Sequence, residues 1–396
     1  MSSWQTQAKQ ILKNTAAAAL ALVAPVIKTI YGIQDNTILF ESYNGERVDG
    51  SPKSVYDYLV AHYPNKYHIV WAIKPEAPGR SALLGSTTEV CRFKSFKHLM
   101  YTCTAPVLVC DTARGGTLSS PKWQTAINTW HGTTYKNLGT AVKGHTTLQN
   151  RTYIKRMRQW DYFLSGSKLF TDEVIRKQLG YQGEVLLWGT PRNDSIVNSS
   201  QDDCQRCREH MGVDNPNTLL VVYAPTYRPG IQQTPFDVEQ VREAFEQRFS
   251  QQVVVAIRAH YYAQGLQTDS FNLDLSTYPD AKEVMLAADI LISDYSSITW
   301  DYSILRRPLF LFMPDLEEYA SEWGFVIDPD QWGFPIAKNT EELVSNIKAF
   351  DFSAYEKALT FHHDLYGMFE DGHATERVAE LIVDVLGIEK GDYSNE

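Results

Sequence analysis

Two doubly wound α/β halves are predicted, and three observations predict them. From about Thr37 short apolar runs alternate with helical stretches, which implies parallel βαβ units. The same alternation restarts after a turn at Gly189–Asp194 (GTPRND). Most of the runs then lead into turns rich in Ser, Pro, Asp or His, where sheets of this kind place functional residues.

In the first half the buried strands are Thr37–Phe40 (TILF), Tyr67–Ile73 (YHIVWAI), Val107–Cys110 (VLVC) and Ala126–Trp130 (AINTW), with helices over Ser51–His62 and Ser95–Thr104 between them. The second half offers Leu219–Tyr223 (LLVVY), Val253–Arg258 (VVVAIR), Ile290–Ser293 (ILIS) and Leu309–Met313 (LFLFM). A closing helix carries Val378, Leu381, Ile382, Val385 and Leu386 on one face, with Asp371 expected as its N-cap and Gly387 as its stop. The length of 396 residues suits two domains or more at about 150 each. The domains expected are an N-terminal segment over 1–34 and two Rossmann-like halves over 35–190 and 191–390.

Composition excludes several classes. With 43% hydrophobic and 21% charged residues the chain is globular. A formal charge of −10 argues against general nucleic-acid binding. Five cysteines do not make a disulfide framework and suit a reducing compartment. No apolar run reaches the roughly 20 residues of a membrane span. Upstream of Gln34, Trp4, Ala8, Ile11, Leu12 and Thr15 share a helical face, and the three charges (Lys9, Lys13, Lys28) are all positive. An amphipathic helix on an anionic membrane surface, a helix packed on its own domain and a signal peptide all fit that pattern.

Four strand-end blocks carry the chemistry. His131-Gly132-Thr133-Thr134-Tyr135-Lys136 puts an imidazole, able to accept a hydroxyl proton near neutrality, at a strand end. Arg258-Ala259-His260 ends another strand, and alternation would put both side chains on one face toward an anion. Ser293-Asp294-Tyr295-Ser296-Ser297 offers hydroxyls and helix-start N–H groups to a phosphate, with Asp294 fixing the turn. Tyr223–Arg228 (YAPTYR) ends in a cation that could reach a diphosphate. Structural readings stand beside each: a histidine bonded to a loop carbonyl, a solvated ion pair, a simple N-cap. Weaker signals are Cys204-x-x-Cys207, read as exposed helix positions, Asp328-Pro329-Asp330, and His362-His363-Asp364, whose neighbours point different ways on a helix. No P-loop, dinucleotide fingerprint or nucleophile elbow is present.

Taken together, WHGTTYKNLG, GTPRND, YAPTYR, the Arg-x-His, SDYSSITWDYSILRRP and FEDGHATERVAELI resemble the CDP-glycerol glycerophosphotransferase family of teichoic acid biosynthesis, as does the opening FESYNGERVDGSPKSVYDYL. The resemblance spans roughly Leu39–Leu386. It implies a GT-B-like fold, two Rossmann-type domains facing across a cleft, 35–190 on the acceptor side and 191–390 binding the CDP-polyol, with peripheral attachment to the cytoplasmic face of the cell membrane through the amphipathic helix of 1–34. It implies His131 and His260 as catalytic histidines, with Arg228, Arg258, Ser293, Asp294, Ser296, Ser297, Thr133 and Lys136 binding substrate. No cofactor or metal is implied. The partners implied are CDP-glycerol, a lipid-linked (undecaprenyl diphosphate) saccharide acceptor and an anionic membrane surface, without nucleic acid; homo-oligomerisation is left open. Here Thr134-Tyr135 replaces the family's common Pro-Leu beside the proposed base, which bears on acceptor identity. Tyr227 replaces a common Trp, and Tyr261 a common Pro.

The resemblance implies transfer of glycerol phosphate to an acceptor hydroxyl with release of CMP. The short chain favours a priming enzyme over a polymerase. A CDP-ribitol-using or capsular polyol-phosphate transferase, a GT-B nucleotide-sugar glycosyltransferase or epimerase, and a silent membrane-surface module are the rival readings.

Overall fold

The computed structural model describes residues 22–84, 87–113, 121–228, 235–259 and 268–387. The chain divides into two compact units: Met1–His131, Leu138–Asp194 and Phe369–Glu396 make the first, Gly132–Asn137 and Ser195–Met368 the second.

The first unit is built on seven strands: β1 (Thr37–Glu41), β2 (His68–Ile73), β3 (Glu89–Arg92), β4 (Val107–Cys110), β5 (Thr125–Asn128), β6 (Tyr162–Ser165) and β7 (Glu184–Leu187). They pair in the order β3-β2-β1-β4-β5-β6-β7, all parallel. β1 and β4 are buried along their whole length, as strands covered on both faces must be, which explains the apolar runs ILF and VLVC; the buried Glu41 that ends β1 is partnered by His98 Nε2 (3.0 Å). Ile38, Phe40, Trp71, Val107 and Val109 pack one face of the sheet against Val55 and Leu59 of the helix Gly50–His62 and Val378 and Ile382 of the closing helix.

The closing helix runs Ala374–Leu386 and ends on Gly387 at φ 65°, the left-handed stop its sequence announces. Its start corrects one expectation. Asp371 pairs with Arg377 instead of capping, while Asp194 accepts from the N–H groups of Ala374 (3.1 Å) and Thr375 (2.6 Å). The capping carboxylate thus comes from a residue 180 positions away.

The second unit has six strands: β8 (Thr218–Ala224), β9 (Gln252–Ile257), β10 (Leu273–Asp274), β11 (Ile290–Ser293), β12 (Leu309–Phe312) and β13 (Ile336–Ala337), ordered β10-β9-β8-β11-β12-β13 and again all parallel. Its core joins Val221, Val255, Ile292 and Phe310 to Phe245 and Ile347 from flanking helices.

Two weak motifs become structural here. His362 is fully buried, bonded through Nε2 to Tyr135 Oη (3.0 Å) and through Nδ1 to the Trp332 carbonyl (3.0 Å); burial lowers its pKa to about 3. His363 bonds Ser303. No metal-holding cluster occurs among the described residues. Cys207 is buried in the helix Gln201–His210, against the expectation of exposure, because that face packs on the helix Ala281–Ala287.

The proposed membrane stripe from Trp4 to Thr15 lies outside the described residues. Residues 22–31 are helical. Ala24 and Ile27 pack against Cys103, Leu99, Met100 and Trp123, and Lys28 Nζ sits 4.2 Å over the Trp123 ring. Leu22, Val26, Ile30 and Tyr31 stay exposed, as does Phe96 beside Tyr31. Among the described residues no helix is long and apolar enough to cross a membrane.

Candidate active site

In a doubly wound sheet, ligands bind beyond the carboxyl ends of the strands where strand order reverses. That switch lies between β1 and β4 in the first unit and between β8 and β11 in the second. Both switch points are built alike.

In the first unit Asp111 follows β4 directly and is fully buried. Its Oδ1 accepts from the Tyr43 backbone N–H (2.8 Å), in the turn after β1, and its Oδ2 lies 2.9 Å from Ser42 Oγ. Ser42 Oγ also lies 2.7 Å from the Asp49 carbonyl. A hydroxyl has one proton, and the carbonyl can only accept. With that proton given to Asp49, the Asp111–Ser42 bond needs a proton on the carboxyl. Burial pushes the Asp111 pKa up to about 7, consistent with this arrangement. Burial also raises the Tyr43 phenol to about 12, against the opposing pull of the Arg192 guanidinium.

His131 stands three residues beyond the end of β5. Its Nδ1 lies 2.8 Å from the Asp111 carbonyl oxygen, which can only accept. Nδ1 therefore carries the proton, and the neutral ring has its lone pair on Nε2. The turn that presents it is strained: Trp130 has φ 51°, a left-handed conformation uncommon for a bulky residue, and Gly132 has φ 119°. The surroundings hold this turn in place. Trp130 N–H donates to Asn128 Oδ1 (2.8 Å), Asn128 Nδ2 donates to the Thr112 carbonyl (3.2 Å), and Arg192 Nη1 donates to the His131 carbonyl (2.6 Å). The Trp130 ring stacks on the imidazole at 4.4 Å, and the Tyr43 ring lies 6.3 Å away, tilted.

The second switch point repeats the pattern. Asp294 follows β11, is buried, and accepts from Thr226 N–H (3.0 Å) and Thr226 Oγ1 (2.6 Å) in the turn after β8. It also receives Arg228 Nη1 at 2.7 Å, while Asp315 takes the other side of that guanidinium through Nε (2.5 Å) and Nη2 (2.9 Å). Burial works against the charge on Arg228, but the two carboxylates outweigh it and hold the group well above its ordinary value. Arg228, expected on a diphosphate, is thus bound into an internal ion-pair network.

The remaining expected residues divide between scaffold and site. Ser293 is fully buried and donates to the Ala224 carbonyl (2.7 Å), tying β11 to β8. Arg258 lies just past β9, where strand alternation no longer applies, and donates to the carbonyls of Leu275 (3.1 Å) and Tyr278 (2.8 Å). Ser296 and Ser297 are half-buried at the start of the short helix Ile298–Ser303, and Ser297 makes no side-chain cap bond. His260 lies outside the described residues. Thr133 and Lys136 belong to the second unit although they follow β5 of the first. The Thr133 hydroxyl is buried without a hydrogen-bond partner among the described residues. Burial lowers the Lys136 pKa, opposed by the Asp294 charge, and its ammonium lies 5.8 Å over the Trp323 ring. Backbone pairing with Phe325 and Gly324 fixes the segment. Tyr135, read from sequence as an acceptor-side residue, is instead fully buried in the second unit against Trp332 and Tyr366.

Sequence reasoning passed over Asp111, Ser42, Tyr43 and Arg192. A signal for Asp111 existed, since it directly follows the run VLVC at a strand end.

A family model described as CDP-Glycerol:Poly(glycerophosphate) glycerophosphotransferase matches residues 24–384. The chain belongs to that family. It is 29% identical over 371 residues to the teichoic acid poly(glycerol phosphate) polymerase of Staphylococcus epidermidis, covering 88% of this chain but 51% of that protein. The teichoic acid glycerol-phosphate transferase of Staphylococcus aureus is 28% identical, over 88% of this chain and 92% of its own length. The teichoic acid ribitol-phosphate primase of Bacillus spizizenii is 25% identical over 95% and 97%. The chain therefore spans about half of some relatives and nearly all of others. Among solved structures, the wall teichoic acid polymerase TagF, as a histidine variant soaked with CDPG, matches with a TM-score of 0.80 at 25% identity over 96% of this chain and 98% of that one. Family membership and the TagF-like GT-B fold agree with the two parallel-sheet units described above.

A proton held by buried Asp111 would carry a pH signature. An unfolded aspartate titrates near 3.9, so between there and about 7 the native state holds a proton the unfolded chain has lost. Stability contributed by this group is present at low pH and is lost as pH rises through that window. Asp111→Asn has no such proton to lose and keeps an acceptor for Tyr43 and a donor for Ser42. Denaturation of both proteins between pH 4.5 and 8 should show the variant gaining on the parent as pH rises, by about 3 kcal/mol, and levelling above about 7. A difference that is flat with pH would place an ionised carboxylate at Asp111.

Proposed function

We propose that the protein transfers glycerol phosphate from CDP-glycerol to a hydroxyl of a membrane lipid-linked saccharide or glycerol phosphate acceptor, releasing CMP. The observation that carries this reading is the family match from residue 24 to 384 together with a strained turn that presents His131 with its lone pair on Nε2.

In the proposed step the acceptor oxygen attacks the β-phosphorus in line. The bond from that phosphorus to the bridging oxygen breaks, and CMP departs with the electron pair. His131 Nε2 takes the hydroxyl proton. General-base catalysis of this kind is worth about 10²–10⁴-fold. The rest of the barrier falls to positioning and to neutralising charge on the phosphate oxygens. For that work we assign Lys136, Thr133, Ser296 and Ser297 in the second unit, with Arg258 just past β9 and, from the family resemblance, His260. A half-buried ammonium and a buried unpartnered hydroxyl suit phosphate oxygens, because each gains more from an anion than from water. Arg228 and Asp294 would brace this site through the Thr226 turn.

Attachment to the cytoplasmic face of the membrane is part of the same proposal. Leu22, Val26, Ile30 and Phe96 form an exposed apolar patch, and Lys28 is the charge on that helix.

The test is nucleotide release. The protein, incubated with CDP-glycerol, CDP-ribitol or UDP-sugars and a lipid-disaccharide acceptor, should release CMP from CDP-glycerol in an acceptor-dependent manner. Preference for CDP-ribitol would move the donor assignment toward the ribitol relative, and turnover of a UDP-sugar alone would overturn the reading.

A further inference from the structure

Between residues 112 and 160 the chain carries eight cations and no acid, leaving 29 cations against 47 acids elsewhere. So long a one-sided stretch in an acidic protein repels itself unless something negative offsets it. The structure concentrates part of it on one element. The helix Thr147–Met157 holds Arg151 and Lys155 four residues apart, and Arg158 follows at the seventh, so the three line a single face. All three are exposed, and no carboxylate pairs with them among the described residues. Lys143 is exposed in the turn leading into this helix. Arg156, beside the stripe, has a buried Nη2 without a hydrogen-bond partner among the described residues, and burial lowers its pKa. Cations in a last helical turn complement the helix dipole, which accounts for Lys155 and Arg156 but not for Arg151 or Lys143.

The place of the helix matters. It joins β5 to the parallel strand β6, and Thr146 caps its start in a capping box with Gln149. It therefore begins at the carboxyl edge of the sheet, the edge from which His131 is presented, and runs back toward the opposite edge within the same unit. The stripe leads away from the proposed reacting end.

We propose that Arg151, Lys155 and Arg158 form a binding track for a linear phosphodiester polyanion, the part of a glycerol phosphate acceptor chain behind its reacting hydroxyl. The inference rests on the acceptor class given under the proposed function. One cation per helical turn suits a ligand with one negative charge per repeat. Such a contact is electrostatic and tolerant of register, as a chain of changing length requires. A bilayer is the less suitable occupant. The stripe has only Leu148 as an exposed large apolar neighbour, whereas the helix at residues 22–31 has Leu22, Val26, Ile30 and Tyr31.

The test compares the full chain with R151Q/K155Q/R158Q and with R151K/R158K. The probe is a fluorescent, water-soluble glycerol phosphate oligomer without lipid, followed by anisotropy at low and physiological salt. The triple variant should bind it about tenfold more weakly at low salt, with a flatter salt dependence, while the Lys variant keeps the parent's affinity. Both should melt like the parent. CMP release with a single-unit acceptor should not change. Oligomer affinity equal to the parent's would overturn the proposal, as would a loss seen only with phosphatidylglycerol vesicles. Absence of CMP release in the parent would sink the proposed reaction instead, and salt-sensitive oligomer binding lost in the triple variant would still support the track.

Discussion

His131→Ala is expected to lower acceptor-dependent CMP release by about 10²–10⁴-fold while CDP-glycerol binding stays within a few fold. The first half follows from the ring's tautomer. With Nδ1 held by the Asp111 carbonyl, proton acceptance falls to Nε2, and alanine supplies no replacement base. The second half follows from the division of labour proposed above. The groups proposed to bind the donor, Lys136, Thr133 and the Ser296–Ser297 turn, belong to the second unit, whereas His131 is the last residue of the first segment of the first unit. Single-turnover CMP release and equilibrium binding of CDP-glycerol separate the two effects. Equal loss of both would make His131 a donor-binding residue and remove it from the base role. His131→Ala also takes away the ring stacked on Trp130, so a thermal melt must accompany the kinetics.

The chain shows its fold more readily than its site. β1, β4, β8 and β11 are legible because strands buried on both faces carry near-continuous apolar runs, and a run such as VLVC has few other uses. β3 and β7 are not, because Glu89 and Glu184 open them and much of each strand is half-exposed. β10 and β13, at two residues each, leave no periodicity to read. In the site, His131 is legible from its place after an apolar run. The meaning of its neighbours is not. Sequence adjacency cannot show that the chain passes into the other unit at Gly132, so Tyr135, four residues from the imidazole, looks like an acceptor contact while being part of a different core. The partners of Arg228 are hidden in the sequence for a related reason. A cation after a strand suggests an anionic ligand, but the carboxylates that engage it come from positions 294 and 315, which only the fold brings near.

The two switch points share one device. An aspartate directly after the fourth strand of each unit grips the turn that follows the first, through a backbone N–H and a hydroxyl: Asp111 with Tyr43 and Ser42, Asp294 with Thr226. The same geometry sits in two different electrostatic settings. At Asp111 burial is the largest influence and favours the neutral carboxyl, with the Arg192 charge a smaller opposing pull; Asp294 has the Arg228 guanidinium at 2.7 Å. One turn is held by a carboxyl near its titration point and the other by an ion pair.

Asp294→Ala should therefore cost far more stability than a surface charge deletion. Removing it strands the Thr226 N–H and hydroxyl and leaves Arg228, mostly buried, balanced on one side only by Asp315. Breaking a buried pair by deleting one partner costs about 3–5 kcal/mol, because the remaining charge keeps its desolvation penalty. Asp294→Asn keeps an acceptor for Thr226 and should lose a smaller share, while Asp294→Ala combined with Arg228→Met should recover part of the loss by removing the stranded charge as well. Two units need not unfold together, so a single midpoint is a poor readout. Hydrogen exchange of β8 and β11 amides reports the second unit directly. Those amides should exchange faster in Asp294→Ala with β1 and β4 little changed. If protection in β8 and β11 were preserved and only the KM for CDP-glycerol rose, Asp294 would be a ligand contact, and its part in holding the turn would be minor.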